Sequence, residues 1–100
     1  MIIKVKQGFI KFRKIGKKKH GLYELIRIEV YDKYKRQGVG KALFVMMLNK
    51  IVNYRKLFCT THTSNKVAHK FYEKMGMKME ATLPNHYYEG EPEMVYALYS

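Results

Sequence analysis

Apolar residues recur along the chain with two different periods, which separate strand candidates from helix candidates. Short apolar runs at residues 2–5, 9–15, 22–30 and 57–62 predict strands. In residues 38–54 the apolar positions instead recur at steps of three and four, which predicts an amphipathic helix. The apolar stripe of that helix consists of Val39, Leu43, Met46, Met47 and Ile51.

A second helical stripe follows the fourth strand and consists of Ala68, Phe71, Tyr72 and Met75. Ser64 or Asn65 can cap its start, and Gly76 suits the left-handed residue at its end. Residues 77–83 and 94–99 predict two further strands, joined by a long, polar, Tyr-rich loop. The predicted order is β-β-β-α-β-α-β-β, which indicates a mixed α/β domain.

Length and composition place the chain among single globular domains. We treat residues 1–100 as one domain, and 47% of them are apolar. No apolar run approaches the ~20 residues that span a membrane, and Lys4 and Lys6 interrupt any signal-peptide core. Cys59 is the single cysteine, and we expect a buried apolar side chain in a protein of the reducing cytoplasm.

Positive charge is concentrated in the first half of the chain. The net charge is +12, and residues 1–50 hold 14 Lys or Arg against 3 Asp or Glu. Such a field attracts polyanions, including nucleic acid or a phosphorylated cofactor; a solvated lysine-rich surface is the alternative. Aromatic residues that flank basic ones would suit base stacking, but no helix-turn-helix, zinc or RNP pattern supports nucleic-acid binding. The histidines show no metal-ligand spacing.

A glycine turn lies between the third strand and the first helix. Residues 35–42 read Lys-Arg-Gln-Gly-Val-Gly-Lys-Ala. A strand that leaves such a turn as a helix directs backbone N–H groups and the positive end of the helix dipole at one spot, which suits a phosphate or diphosphate. Gly38 and Gly40 alone could also serve a turn that needs positive φ. The spacing fits neither a Walker loop nor a dinucleotide-binding fingerprint.

Two motifs together resemble one known family. The turn, with Lys35 in the first position, resembles the Gln/Arg-x-x-Gly-x-Gly/Ala motif of the GNAT superfamily of acyl-CoA N-acyltransferases, although Arg36 stands where glycine is common. Ser64-Asn65-x-x-Ala68-x-x-Phe71-Tyr72-x-x-x-Gly76-Met77 resembles a second motif of that family. The resemblance covers residues 9–99. It implies a mixed, mostly antiparallel sheet with two main helices.

The resemblance also implies an activity and a cofactor site. The reaction would move an acetyl group from acetyl-CoA, as cosubstrate, to a primary amine. The pantetheine arm would pair with the strand, and Asn65 would contact it, while N–H groups of the turn hold the diphosphate. By this resemblance the cofactor-binding residues are Ile28, Glu29, Val30, Lys35, Arg36, Gln37, Gly38, Val39, Gly40, Lys41, Asn65 and Tyr72.

Catalytic roles follow from the same resemblance. Tyr72 matches the tyrosine that gives a proton to the departing thiolate; its alternative is a stripe aromatic with its hydroxyl at the surface. Glu24, which the pattern puts on the same strand face as Ile26, Ile28 and Val30, aligns with a catalytic carboxylate that would act as base. An ion pair with a nearby lysine is its alternative, and Glu29 is the rival base. Thr60 occupies a position where some relatives carry Glu or His, and His62, two residues on, is the candidate to replace it. A hydrogen-bonded structural histidine is the alternative for His62.

The chain departs from the family at its two ends. The usual N-terminal strand and two helices, which wall the acceptor site, are lacking. The acceptor groove is therefore shortened, opened or completed by another subunit, and we expect a homodimer. The tail resembles that of protein N-terminal acetyltransferases, where tyrosines hold a peptide N-terminus; this predicts Tyr87 and Tyr88 as substrate-binding residues. Glu89, Glu91 and Glu93 could attract a cationic amine.

The leading hypothesis is therefore an acetyl-CoA-dependent N-acetyltransferase, with a protein or peptide amine as its acceptor. Two alternatives stay open. The first is a CoA-binding module with weak turnover. The second is a basic nucleic-acid-binding domain. Binding of acetyl-CoA separates the last from the other two.

Overall fold

Six strands and two helices follow the order that the apolar pattern predicts. The computed structural model describes residues 1–88 and 91–100, and the side chains of all of these except 85–88 and 91. The elements are β1 (Ile2–Val5), β2 (Gly8–Ile15), β3 (Leu22–Val30), α1 (Val39–Lys50), β4 (Lys56–His62), α2 (Lys66–Lys74), β5 (Lys78–Tyr88) and β6 (Glu91–Tyr99). Within the described ranges, no helix is long and apolar enough to cross a membrane.

All six strands form one sheet in the order β1-β2-β3-β4-β6-β5. Every neighbouring pair is antiparallel except β3 and β4, which are parallel and joined through α1. Parallel neighbours need a crossover of this kind, because a hairpin can join only antiparallel strands. The predicted mixed and mostly antiparallel α/β fold is confirmed.

Both helices cover the same face of this sheet. The ring of Phe44 on α1 meets the ring of Phe71 on α2 edge to face, with centroids 6.3 Å apart. Under the helices lies the core, whose fully buried side chains include Ile10, Phe12, Leu43, Phe44, Met47, Ile51, Leu57 and Cys59. Burial of this apolar area is the main source of stability, at roughly 25 cal/mol per Å².

The opposite surface of the sheet is the helix-free face. Because paired residues of neighbouring strands point to the same side, the register identifies its members. Arg13, Glu24, Phe58 and Ala97 form one row across it, and His62 and Glu93 form another pair.

A β-bulge at Ile26 corrects the predicted face of β3. Lys11 pairs with Arg27 and Phe12 with Leu25, so Ile26 is an extra residue on β3. An extra residue reverses the alternation of side chains along a strand. Ile28 and Val30 therefore share the helix-covered face with Leu25, while Glu24 lies on the helix-free face; placing them on one side was wrong.

The region predicted as a long Tyr-rich loop is mostly strand. β5 continues to Tyr88 and β6 begins at Glu91, because tyrosine favours strands and β5 is an edge strand, where Pro84 can be accommodated without its N–H. The first helix is shorter than predicted, since it ends at Lys50 before Asn53 adopts a positive φ of 64°. Met46 was expected in the core and is instead 40% exposed.

Candidate active site

A cleft opens where the two parallel strands separate. β3 and β4 pair only from Leu22 with Lys56 to Glu24 with Phe58. Beyond these pairs the strands diverge, and the opening between them has a volume of about 1270 Å³. Its wall includes Ile28 and Val30 of β3, Thr61 and His62 of β4, and residues of the glycine turn and of α2. The cleft is therefore lined from both faces of the sheet.

Main-chain N–H groups of the glycine turn are available at the mouth of this cleft. Within the described ranges, no hydrogen bond uses the N–H of residues 36–41, and the first one of α1 runs from Ala42 to the carbonyl oxygen of Gly38 at 3.0 Å. The N-cap residue Gly38 has a left-handed φ of 77° and supplies no side-chain cap. These donors and the helix dipole favour an anion such as a diphosphate.

Arg36 has the left-handed backbone that explains why its position often carries glycine. Its φ is 65°, a conformation that costs a residue with a Cβ roughly 1 kcal/mol. Arg36 and Gly38 thus put two left-handed residues into one short turn, and turns that contain such residues can form anion-binding nests. Lys35 pairs with Asp32 at 2.9 Å, and this bond lowers the pKa of the Asp32 carboxyl.

The free edge of β3 forms a second wall. Ile28, Glu29 and Val30 pair with β2 on one side and have no strand partner toward β4. Backbone groups on that edge can accept an extended chain with amide groups, as an added strand would. The prediction that these residues contact a pantetheine arm fits this geometry and stays a prediction.

Tyr72 stands in the cleft wall and is itself nearly buried. It projects from α2, is 9% exposed, and its ring lies 5.9 Å from that of Tyr96. Burial raises the pKa of Tyr72 above its usual range, and the neighbouring Cys59 adds to the rise. A side-chain hydrogen bond with the Cys59 thiol also contributes to this rise. A phenol held in this way keeps its proton at neutral pH, as a general acid must.

Cys59 is part of this buried pair and not a nucleophile. Its side chain is 1% exposed, and burial raises the pKa of its thiol to about 12, against a smaller lowering by the Tyr72 hydrogen bond. A thiol with so high a pKa stays protonated and unreactive. The sequence prediction of a buried apolar side chain agrees with this placement.

Asn65 has a structural task at the edge of the cleft. Its Oδ1 accepts a hydrogen bond from the N–H of Ala68 at 3.1 Å and so caps α2. Between the two cap candidates, Ser64 and Asn65, the structure selects Asn65. The side-chain amide nitrogen of Asn65 is not used by this bond, which leaves its predicted contact with a cofactor possible.

Glu24 lies outside the residues that line the cleft. Its carboxylate accepts a hydrogen bond from Arg13 Nε at 2.7 Å. The alternative to the base role was an ion pair with a lysine; the ion pair is present, but its partner is an arginine. The bulge at Ile26 explains the position, because it separates the face of Glu24 from that of Ile28. The base role of Glu24 stays a prediction. Its rival Glu29 does line the cleft and pairs with Arg27 at 3.4 Å.

Two polar side chains of the cleft stand out by their burial: Thr61, to which the sequence gave no site role, and Glu93, which the sequence named among three carboxylates that could attract a cationic amine. Thr61 Oγ1 and Glu93 Oε2 are buried and have no hydrogen-bond partner within the described ranges. Strand alternation could have indicated Thr61, since it shares the core side of β4 with Leu57 and Cys59. The predicted substrate residues Tyr87 and Tyr88 have side chains outside the described part of the structure.

Comparisons with known proteins agree with this geometry. A model of the acetyltransferase (GNAT) family matches residues 6–77. An N-alpha-acetyltransferase of Sulfurisphaera tokodaii is 29% identical over 70 residues, which are 67% of this chain and 42% of the relative. The chain thus spans less than half the length of that curated relative.

Two solved structures show the same fold. Ard1 from Thermoplasma volcanium superposes with a TM-score of 0.81 at 26% identity, over 93% of this chain and 62% of that one. A GNAT family acetyltransferase from Elizabethkingia anophelis, solved with acetyl-CoA bound, gives 0.81 at 19% identity, over 94% and 69%. Because the family model covers more than half of its residues, the chain belongs to the acetyltransferase (GNAT) family.

Proposed function

We propose that this chain is an N-acetyltransferase that moves an acetyl group from acetyl-CoA to the amine of a protein or peptide N-terminus. The observation that carries the proposal is the set of unused N–H groups at residues 36–41, on a cleft whose wall also holds Tyr72. Family membership and the acetyl-CoA-bound neighbour support the cosubstrate. The N-alpha-acetyltransferase relative supports the acceptor class.

The chemistry assigns a task to each wall of the cleft. The turn binds the diphosphate, and the free edge of β3 holds the pantetheine arm along the strand direction. The neutral amine attacks the thioester carbonyl carbon, so that an N–C bond forms and the C–S bond breaks. Tyr72 gives its proton to the sulfur, and a proton from the nitrogen returns to its oxygen. CoA leaves as the thiol and the product is an amide.

Binding and turnover test the proposal separately. Isothermal titration of CoA and acetyl-CoA into the protein should give saturable binding. Thiol release from acetyl-CoA should then depend on pentapeptides that begin with Ala, Ser or Met and have a free N-terminus, with N-acetylated peptides of the same sequence as the control. Absence of CoA binding contradicts the proposal, and binding without transfer to any amine would reduce it to a CoA-binding module.

We also propose that two copies associate, in the cytoplasm, through the part of the helix-free face around Phe9 and Phe58, which leaves the end of that face with His62 and Glu93 open. This face presents the half-buried rings of Phe9 and Phe58 to the exterior, and apolar surface in contact with solvent can mark an interaction site. The buried, unpaired thiol of Cys59 supports a reducing compartment. Light scattering should give twice the chain mass of 11.9 kDa, and a monomer at micromolar concentration would contradict the dimer.

A further inference from the structure

One carboxylate oxygen of the cleft is buried without a partner. Glu93 lies on β6 opposite His62 and lines the cleft. Its Oε2 is shielded from solvent and makes no hydrogen bond to any described residue. A buried, unpaired carboxylate oxygen is costly, and in folded proteins such groups normally find a cation or a donor.

The neighbouring carboxylates already have cations. Of the other acidic side chains that line the cleft, Glu29 pairs with Arg27 at 3.4 Å and Asp32 with Lys35 at 2.9 Å. No ion pair of Glu93 occurs within residues 1–88 and 91–100. The chain has a net charge of +12, and Glu93 is nevertheless not paired with any of its described cations. The Glu93 carboxylate is therefore available to a cationic group of a ligand.

The position of Glu93 separates it from the cofactor contacts. Cys59, the hydrogen-bond partner of Tyr72, lies on the helix-covered side of β4 and pairs with Tyr96. Glu93 and its partner His62 lie on the helix-free face, where strand alternation places them. A molecule that enters the opening between β3 and β4 from the helix-free face would therefore pass Glu93 before it reaches Tyr72.

We propose that Glu93 binds the ammonium group of the acceptor and thereby selects cationic amines; the bound ammonium gives one proton to water, and the neutral amine that results attacks the thioester. The inference rests on the proposed function, because it names the residue that recognises the acceptor in that reaction. A carboxylate and an ammonium group form a charge-assisted hydrogen bond, and removal of one partner from a shielded pair weakens binding strongly. The role is distinct from the base role predicted for Glu24, which is paired with Arg13.

The test measures peptide binding and CoA binding in the same variants. The probes are the free-amine pentapeptides and their N-acetylated forms, titrated into protein saturated with CoA. Glu93→Gln keeps the shape and removes the charge; Glu93→Asp keeps the charge at a shorter reach. Glu73→Gln is the matched control, since Glu73 is exposed on α2 and does not line the cleft.

Glu93→Gln should raise the Kd and KM of the free-amine peptide at least tenfold, with the Kd of CoA changed less than twofold. Glu93→Asp should retain more peptide affinity than Glu93→Gln, and Glu73→Gln should match the original chain. If Glu93→Gln does not fold, a loss of peptide affinity in Glu93→Asp with normal CoA binding gives the same support.

Two results would overturn the inference. One of them leaves the proposed function intact, and the other removes it as well. Unchanged peptide affinity in Glu93→Gln, in a protein that binds CoA and acetylates the peptide, removes the role of Glu93 and leaves the proposed function intact. Failure of the original chain to bind CoA removes the proposed function and the inference with it.

Discussion

The hydrogen bond between Tyr72 and Cys59 connects the core to the candidate chemistry. Both side chains are buried, and burial is the first cause of the raised pKa of each. The thiol packs against the phenol inside the core, and α2 brings the phenol to the cleft. The same two residues should therefore control both a catalytic step and the stability of the fold at high pH.

Tyr72→Phe removes the proposed acid and leaves the ring in place. Turnover should fall by about 10²-fold, the typical contribution of a positioned general acid. The Kd of CoA should stay within twofold, since the hydroxyl contributes only to the departure of the sulfur. Stopped-flow detection of thiol release and isothermal titration measure the two effects.

Tyr23→Phe is the control for this substitution. Tyr23 is also buried, at 7% exposure, but it does not line the cleft. Both variants lose one buried hydroxyl, so a general loss of stability would affect them alike. Equal activity of the two variants, or a large loss of CoA affinity in Tyr72→Phe, would contradict the acid role.

Cys59→Ala should change the dependence of stability on alkaline pH. The folded chain holds the pKa of the thiol at about 12, raised from an ordinary value of 9.0. A raised pKa means that only the unfolded chain loses this proton between pH 9 and 12, so the free energy of unfolding falls as pH rises through that window. Without the thiol, the fall should begin nearer pH 10, where tyrosine ionises in the unfolded chain.

Urea denaturation at pH 7, 9 and 10 measures this difference. At pH 7 the variant should be less stable by about 1 kcal/mol, because it loses buried apolar volume. Between pH 9 and 10 the original chain should lose about 1 kcal/mol more than the variant. Parallel curves across this range would contradict the buried, protonated thiol.

At the level of residues, motif spacing predicted some placements and local geometry decided the others. The second motif placed Tyr72 in the wall of the cleft and Asn65 at the start of α2, because helix spacing determines which side chains share a face. Glu24 was different. Its position depends on one extra residue, Ile26, in the pairing of β2 with β3, and no period in the sequence reports a bulge.

Among the elements, the glycine turn makes the clearest demand on backbone conformation. Gly38 has a φ of 77°, and a Cβ there would meet no atom within 4 Å. A side chain at this position would be opposed by the left-handed backbone and would project into open space at the cleft, which Gly38 lines. Conformational strain and ligand exclusion can be separated by comparison with a second glycine.

Gly38→Ala and Gly16→Ala make that comparison. Gly16 has a similar φ of 70° and only an ordinary contact with His20, and it does not line the cleft. Each substitution should lower the free energy of unfolding by about 1 kcal/mol. Only Gly38→Ala should also raise the Kd of CoA, by tenfold or more, measured by titration. An equal effect of both variants on CoA binding would argue against the turn as the diphosphate site.

The ends of the strands could be predicted where one face of the strand is buried, but not at the edge of the sheet. β1 and β3 match their predicted ranges, since apolar runs between turn residues report strands well. The strand ends near residues 84–93 were missed because tertiary pairing at the sheet edge extends β5 past Pro84. The strand propensity of single residues predicts strand ends poorly there, because the pairing with β6 stabilises the end of β5.

Across the whole molecule, charge is arranged to favour a polyanionic ligand. The turn lies in the half of the chain that carries 14 Lys or Arg against 3 Asp or Glu. Arg36 and Lys41 both line the cleft and are exposed. Neither takes part in the salt bridges of the described residues, so both add positive electrostatic potential at the cleft. Long-range attraction of this kind acts through solvent and is screened by salt.

The affinity for CoA should therefore depend on ionic strength, whereas the affinity for its neutral pantetheine part should not. Raising NaCl from about 50 mM to about 500 mM reduces the screening length well below the ~10 Å found at 0.1 M. We expect the Kd of CoA to rise about tenfold over that range and the Kd of pantetheine to change less than twofold. Titration calorimetry at matched temperature and pH measures both. Equal salt dependence of the two ligands would show that the basic half of the chain does not act on the phosphates, and it would favour the view that these lysines form only a solvated surface.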